Sequence, residues 1–228
     1  MPFPLFAVHL SDGVIATPWL LAGFAGAAIL ILIALWRIRE EDIPRIALLS
    51  AAFFVGSSIH IKLAATSVHL ILNGMVGVAL GRRAPLAIAI GLLLQCILLH
   101  HGGYTTLGLN TCIIAIPAFF AGWSYPALKA LKVPTFIRGV LIGGGSVALS
   151  VTFNFLVLFN GGKEDWRTLA DLLLLAHLPI VVVEGLMLGA IVQYLEIVKP
   201  EMLGECSQPP TPSPQNDLAA QPLLPKGK

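Results

Sequence analysis

Of the six histidines in the 228-residue chain, His9, His60, His69, His100 and His101 lie in the first half, each at the margin of an apolar run rather than inside one. Imidazole is the commonest nitrogen donor for nickel, cobalt, copper and zinc, so histidines from distant segments that converge on one level could hold a transition-metal ion. A bland reading stands beside this one: histidine is tolerated at a membrane interface where topology disfavours lysine. Glu184 lies within a long apolar run; a carboxylate is costly there and is by default a functional residue. Other chemistry finds little footing. The chain has no GxxxxGK[ST] phosphate cradle, no HExxH and no nucleophile elbow. Cys96, Cys112 and Cys206 lack metal-finger spacing.

The elements that must position these residues are apolar. Hydrophobic residues make up 57% of the chain and charged ones only 11%, against about 25% charged in an average soluble domain. Mean hydropathy is +0.86, which excludes an ordinary cytosolic protein. A helix needs roughly 20 apolar residues to cross the hydrocarbon. Seven blocks come near that requirement: Thr17 to Trp36, Pro44 to Ile61, Val68 to Leu80, Ala84 to Leu99, Leu109 to Leu128, Phe136 to Phe159 and Leu169 to Val198. The third is too short to span upright and is expected to be buried by neighbours, tilted or partly re-entrant. Alternate loops carry Arg37, Arg39 and Arg45, then Arg82 and Arg83, then Lys129, Lys132 and Arg138, then Lys199, Lys226 and Lys228; of the 14 basic residues only Lys62, Lys163 and Arg167 remain for the other side. By the positive-inside rule the N-terminus is outside and the C-terminus inside. The expectation is an all-α, polytopic seven-helix bundle over residues 8–199 with His9, His60, His69, His100 and His101 at its external level. It is followed by a proline-rich cytoplasmic tail over residues 200–228 without apolar periodicity. The net charge of +2 gives no basic excess to neutralise phosphates, so membrane lipid, and not nucleic acid, is the expected partner.

Three stretches carry a family resemblance: His9-Leu-Ser-Asp-Gly-Val-Ile, then Ser67-Val-His69-Leu-Ile-Leu-Asn73-Gly74-Met-Val-Gly77, then His101-Gly-Gly-Tyr-Thr-Thr-Leu-Gly-Leu-Asn110. In order and in placement they resemble the CbiM/NikM family, the substrate-binding membrane subunits of energy-coupling-factor cobalt and nickel transporters. The Pro179 to Glu184-Gly185 pattern is similar to that family's final helix. The resemblance implies a plasma-membrane (inner-membrane) protein that captures Co(II) or Ni(II) as transported substrate, with no organic cofactor. It implies partners as well: a transmembrane coupling subunit, separate ATPase subunits and a small accessory membrane subunit.

The resemblance also implies a square-planar nitrogen set, with Val8 supplying a free amine, His9 its backbone nitrogen and imidazole, and His69 the fourth donor. Amine and adjacent amide nitrogen close a five-membered ring with the metal, and the imidazole closes a six-membered one; such a set suits Ni(II) or Cu(II). Met1 to Ala7 precede Val8, so the chelate requires this N-terminal extension to be removed or never translated; otherwise the site is built differently. His100 and His101 are candidates for metal capture or for orienting a ligand, or else they belong to a tight turn that Gly102 and Gly103 permit. Thr105 and Asn110 are expected to hydrogen-bond the loop backbone over the site. Glu184, about 22 Å along its helix at 1.5 Å per residue, is expected far from the histidine level, in a structural hydrogen bond or a partner contact. Ala22 with Gly26, and Gly23 with Ala27, give the four-residue spacing of small residues at which helices approach closely, either against the coupling subunit or internally. A metal-dependent membrane hydrolase using His9, His69 and Glu184 is one competing reading, and a vitamin-binding subunit of the same transporter class is another.

Overall fold

Prolines set the first turns of several helices: Pro18, Pro44 and Pro85 occupy the first or second helical position, where a missing N–H costs nothing. The computed structural model describes residues 9–63, 66–163 and 167–203. Along them run α1 (Thr17–Leu35), α2 (Ile43–Ser58), a hairpin of β1 (His60–Leu63) and β2 (Thr66–His69), α3 (Asn73–Leu80), α4 (Ala84–Leu99), α5 (Leu107–Ala130), α6 (Thr135–Gly161) and α7 (Arg167–Val198). Short 3-10 turns cover Glu40–Asp42, Gly81–Arg83 and Pro200–Met202. Among the described residues, five stretches are long and apolar enough to cross a membrane: Thr17–Leu35, Asn73–Leu99, Leu107–Ala130, Thr135–Gly161 and Ala170–Val198. The 16-residue α2 reaches only about 24 Å.

Close approaches give the helix directions. Gly23 and Gly26 of α1 lie against Leu109 and Cys112, so α1 runs with α5. Gly77 of α3 abuts Ala118, and Gly122 abuts Gly81, so α3 also runs with α5. In contrast α4 runs with α2: Arg83 pairs with Asp42 at 2.5 Å, Gly91 meets Phe53, and Gln95 donates to Ser57. The stretch Asn73–Leu99 therefore reverses at Gly81, whose φ of +53° suits glycine. Ser150 on Ile113 and Arg138 on Tyr125 make α6 antiparallel to α5. Gly143 on Glu184 and Gly139 on Gly189 make α7 antiparallel to α6.

The molecule is inverted relative to a water-soluble protein. Leu21, Leu32, Leu48, Trp123, Leu175 and Ile197 are exposed, while Asp42, Asn73, Arg83, Asn154, His177 and Glu184 are buried. An apolar exterior of this extent fits a lipid surround. The chain is mostly helical, as expected, with one short hairpin added, in which His60 pairs with His69 and Ile61 with Val68. The sequence there alternates apolar and polar residues and is rich in β-formers (Ile61, Thr66, Val68), which favours a strand over a helix. The third apolar block accordingly begins as strand, and only Asn73–Leu80 is helical. The expected extension Met1–Ala7 and most of the expected tail, residues 204–228, lie outside the described residues.

Candidate metal centre

Three segments meet at the end of the bundle where α5 begins. The first, residues 9–16, is sewn down by its backbone and by side chains from the α4–α5 connection. Asn110 grips both faces of one peptide-bonding residue, because the Leu10 N–H donates to its Oδ1 at 2.8 Å and its Nδ2 donates to the Leu10 carbonyl at 3.0 Å. The Thr106 hydroxyl donates to the same carbonyl at 2.6 Å. Asp12 accepts from the backbone N–H groups of Tyr104 (3.1 Å) and Thr105 (2.9 Å) and from the Thr105 hydroxyl. A carboxylate at the N-terminal approach to a helix is favoured by the helix dipole. Any Cβ at Gly103 would strike Asp12 Oδ1 at 2.2 Å, so glycine is needed there for the two segments to touch. Further along, Ala16 N–H donates to Gly161 at 2.8 Å and Lys163 N–H to Val14 at 2.9 Å, tying the segment to the end of α6.

The second segment leaves β2 at His69 and dips into the bundle. Glu184 receives it: the Ile71 N–H donates to Oε1, and the Leu72 N–H donates to Oε2 at 2.9 Å. Leu72 has a φ of +56°, a left-handed conformation that costs an ordinary residue roughly 1–2 kcal/mol and that the two hydrogen bonds to Glu184 help to offset. Asn73 then anchors the start of α3 by donating to Ser150 Oγ at 2.8 Å and to the Ser146 carbonyl at 3.2 Å. The third segment is the turn after α4, in which His100 closes the helix in the left-handed region (φ +51°) and Gly102 follows at φ +78°.

The result is a cluster of three imidazoles. His9, His69 and His101 each offer a ring nitrogen, and these atoms lie within 4.8 Å of one another. The His9 and His69 rings stack at 4.9 Å between centroids with 19° between planes, and His101 stands edge-on to both, at 81° and 86°. His9 and His69 are each only 2% exposed. The His69 Nδ1 lies 2.8 Å from the Leu70 carbonyl. Because a carbonyl only accepts, Nδ1 carries the hydrogen and Nε2 keeps the lone pair that a metal needs.

The other expected site residues fall as follows. Val8 lies outside the described residues. His100 is exposed at the α4 terminus and does not join the cluster. Thr105, from the α4–α5 connection, and Asn110, from the first turn of α5, both bond the N-terminal segment, and Asn110 Nδ2 also reaches the Thr106 hydroxyl at 3.4 Å. A partner contact through Glu184 is corrected: its side chain is buried and both oxygens hold the backbone just past His69. Its expected remoteness from the histidines is corrected too, because the chain after β2 descends to meet it. The small-residue face of α1 packs internally. Gly23 and Ala27 are buried, Gly23 abuts Leu109, Gly26 abuts Cys112, and Cys112 Sγ donates to the Gly23 carbonyl at 3.3 Å. Gly23 and Ala27 are thus buried within the chain itself, whereas Ala22 lies on the outer surface. The roles of Asp12 and Thr106 went unassigned in the sequence, although an acidic residue facing a helix start is a readable signal.

Comparison with known proteins agrees with this architecture. A Haemophilus influenzae protein named for metal transport is 38% identical over 203 residues, covering 86% of this chain and 97% of its own length. A Geobacter sulfurreducens cobalt transport protein CbiM is 28% identical, covering 89% of this chain and 63% of that protein. The fused nickel transport protein NikMN of Archaeoglobus fulgidus is 25% identical, covering 89% of this chain and 70% of its own length. The crystal structure of a transition metal transporter superposes with a TM-score of 0.75 at 20% identity, covering 83% of this chain and 93% of the other, and so shares the fold. The profile of the CbiM family, described as the cobalt uptake substrate-specific transmembrane region, matches residues 9–202, and the chain belongs to that family of membrane metal-transport proteins.

Proposed function

We propose that this chain is the substrate-capture subunit of an ATP-driven importer in the plasma (inner) membrane and that it takes Co(II) or Ni(II) from outside through His9 and His69. The observation that carries the reading is the convergence of His9, His69 and His101 from three separate segments on one buried point. Such an arrangement costs conformational freedom and folds no core, and so it suits a ligand. The seven helices are read as seven passes of alternating direction, α3 crossing only together with the segment that descends to it from His69, with residues 9–16 outside and the end of α7 inside. ATP hydrolysis falls to partner ATPases acting through a coupling subunit, with a small accessory membrane subunit as a further partner.

The chain's own residues do the preparatory work. Asn110, Thr106 and Asp12 hold the His9 segment, and Leu70 fixes the tautomer of His69. Glu184 fixes the backbone behind His69. Where the chain begins at Val8, its amine and the His9 nitrogen complete a chelate. The test is isothermal titration of purified protein with Co(II) and Ni(II). His69→Ala is expected to abolish specific binding of both while leaving the protein monodisperse, and wild-type affinity in that variant refutes the assignment.

A further inference from the structure

We propose that the face shared by α1, α2 and α4 is a binding site for one anionic diacyl phospholipid, whose two chains lie on either side of α4 and whose phosphate is held at Arg37 and Arg82. Two apolar grooves meet on this face. One, of roughly 360 Å³, runs between α1 and α4, with Phe24, Ala28 and Ile31 on one wall and Leu93 on the other. The second, of roughly 320 Å³, runs between α2 and α4, with Ile43, Ala47 and Ala51 facing Leu94. Leu86 and Ile90 belong to both grooves, so α4 is the ridge that divides them. The hydroxyls on these walls are turned back on their own helices: Thr111 donates to the Leu107 carbonyl and Ser50 to the Ile46 carbonyl, each at 2.8 Å. The grooves therefore offer no free polar group and favour hydrocarbon.

Length and shape select acyl chains. The first groove follows α1 from Ile31 to Phe24 for about 10 Å, and the second follows α2 from Ile43 to Ala51 for about 12 Å. One leaflet of hydrocarbon is about 15 Å deep, half of the bilayer core. Each groove is thus shorter than a leaflet and far short of a full span. A partner helix would need a single groove along the whole crossing, whereas two short grooves that converge on Leu86 fit a forked ligand.

Charge stands where the grooves converge. Ile38, which lines the second groove, directly follows Arg37, and Arg82 Nη2 reaches the Arg37 carbonyl at 3.5 Å. The Arg82 guanidinium is thereby placed beside the groove wall, on a long contact that leaves its other donors for a ligand. Five arginines (Arg37, Arg39, Arg45, Arg82 and Arg83) share this end with three carboxylates, Glu40, Glu41 and Asp42. Asp42 is engaged by Arg83 and Arg39, and Glu41 by Arg39. Arg37 and Arg82 have no carboxylate partner among the described residues. A guanidinium fork matches phosphate oxygens, and basic pockets between membrane helices hold anionic lipid heads. Trp36, exposed beside Arg37, marks the headgroup level.

The test counts lipid. The full chain is purified in mild detergent, relipidated with equal amounts of phosphatidylglycerol and phosphatidylcholine, and weighed with its bound lipid by native mass spectrometry. One phosphatidylglycerol is expected to stay bound, preferred over phosphatidylcholine by about tenfold or more, the scale set by two arginines that each attract an anionic lipid. Arg37→Gln combined with Arg82→Gln is expected to abolish the preference. Ala28→Phe combined with Ala47→Phe fills both grooves, leaves the arginines in place and is expected to lose bound lipid of either kind. Lys132→Gln, a basic residue of the α5–α6 connection, is expected to retain lipid as wild type does. Should the groove-filling variant fail to fold, the exposed arginine pair still decides. Equal retention of the two lipids by wild type, or an unchanged preference in the arginine variant, overturns the proposal. Phosphatidylglycerol still bound to the groove-filling variant while copurifying membrane subunits are lost assigns this face to a partner helix and overturns it as well.

Discussion

Single residues hold the site together by accounting for backbone groups that would otherwise be orphaned in an apolar interior. Glu184 is the clearest case, since each of its oxygens satisfies one N–H of the descent into α3. Glu184→Gln keeps the shape but turns one acceptor into a donor facing a backbone N–H. An unsatisfied buried donor costs about 1–3 kcal/mol, so the variant should melt several degrees lower and bind Co(II) more weakly, both measurable in one detergent preparation. Acid should act on the ligands themselves. Metal binding needs neutral imidazoles and releases protons, so protons compete and the Co(II) dissociation constant should rise as pH falls, reversibly, as followed by titration at stepped pH. The sequence disclosed the site unevenly. His9 and His69 stood out as nitrogen donors beside apolar runs, and the resemblance ordered them. The place of Glu184 was hidden because distance along α7 says nothing of how far the opposite segment sinks toward it.

At the scale of elements, hydropathy disclosed the rods and missed the join. The block Ala84 to Leu99 coincides with α4, and Phe136 to Phe159 lies inside α6, because long apolar runs have one satisfactory backbone solution in hydrocarbon. Residues 59–72 escaped this logic. An apolar stretch such as Val68–Leu72 is equally hydrophobic as strand or helix, and the partner that decides between them, Glu184, lies more than 100 positions away in the chain. Packing between rods depends on glycines without room for a methyl group. A Cβ at Gly77 would sit 2.1 Å from the Ala118 carbonyl, with no flexible neighbour to yield. Gly145, on the same kind of apolar helix, has nothing within 4 Å of its Cβ position. Gly77→Ala should therefore separate α3 from α5 and cost more than about 1 kcal/mol in thermal stability, with weakened metal binding. Gly145→Ala should be neutral or gain up to about 1 kcal/mol from helix propensity. Differential scanning fluorimetry of the pair, side by side, checks both signs.

The whole molecule is polarised along its axis. One end gathers imidazoles and backbone-capping polar groups; the other gathers arginines, of which Arg83 is buried against Asp42 at 2.5 Å and Arg138 against Glu196 at 2.9 Å. Arg138 also lies 5.0 Å from the Tyr125 ring, and Thr135 donates to Glu196, so the α5–α6 connection is clamped to the end of α7. Arg37, Arg39, Arg82, Lys132 and Lys199 fall in the connections at that same end, and Lys129 in the last turn of α5. Basic residues near span ends are retained on the cytoplasmic side. The proposed orientation is therefore fixed by many charges, and no single substitution should reverse it. A reporter fused after Lys228 should read cytoplasmic, and one inserted in the turn after His100 should read external. Replacing Lys129 and Lys132 together with glutamine should leave both readings unchanged, because Arg37, Arg39, Arg82 and Lys199 still favour the same side. If the tail reads external in the unaltered chain, the three-histidine end faces the cytoplasm, and capture from outside fails on topology whatever the metal affinity.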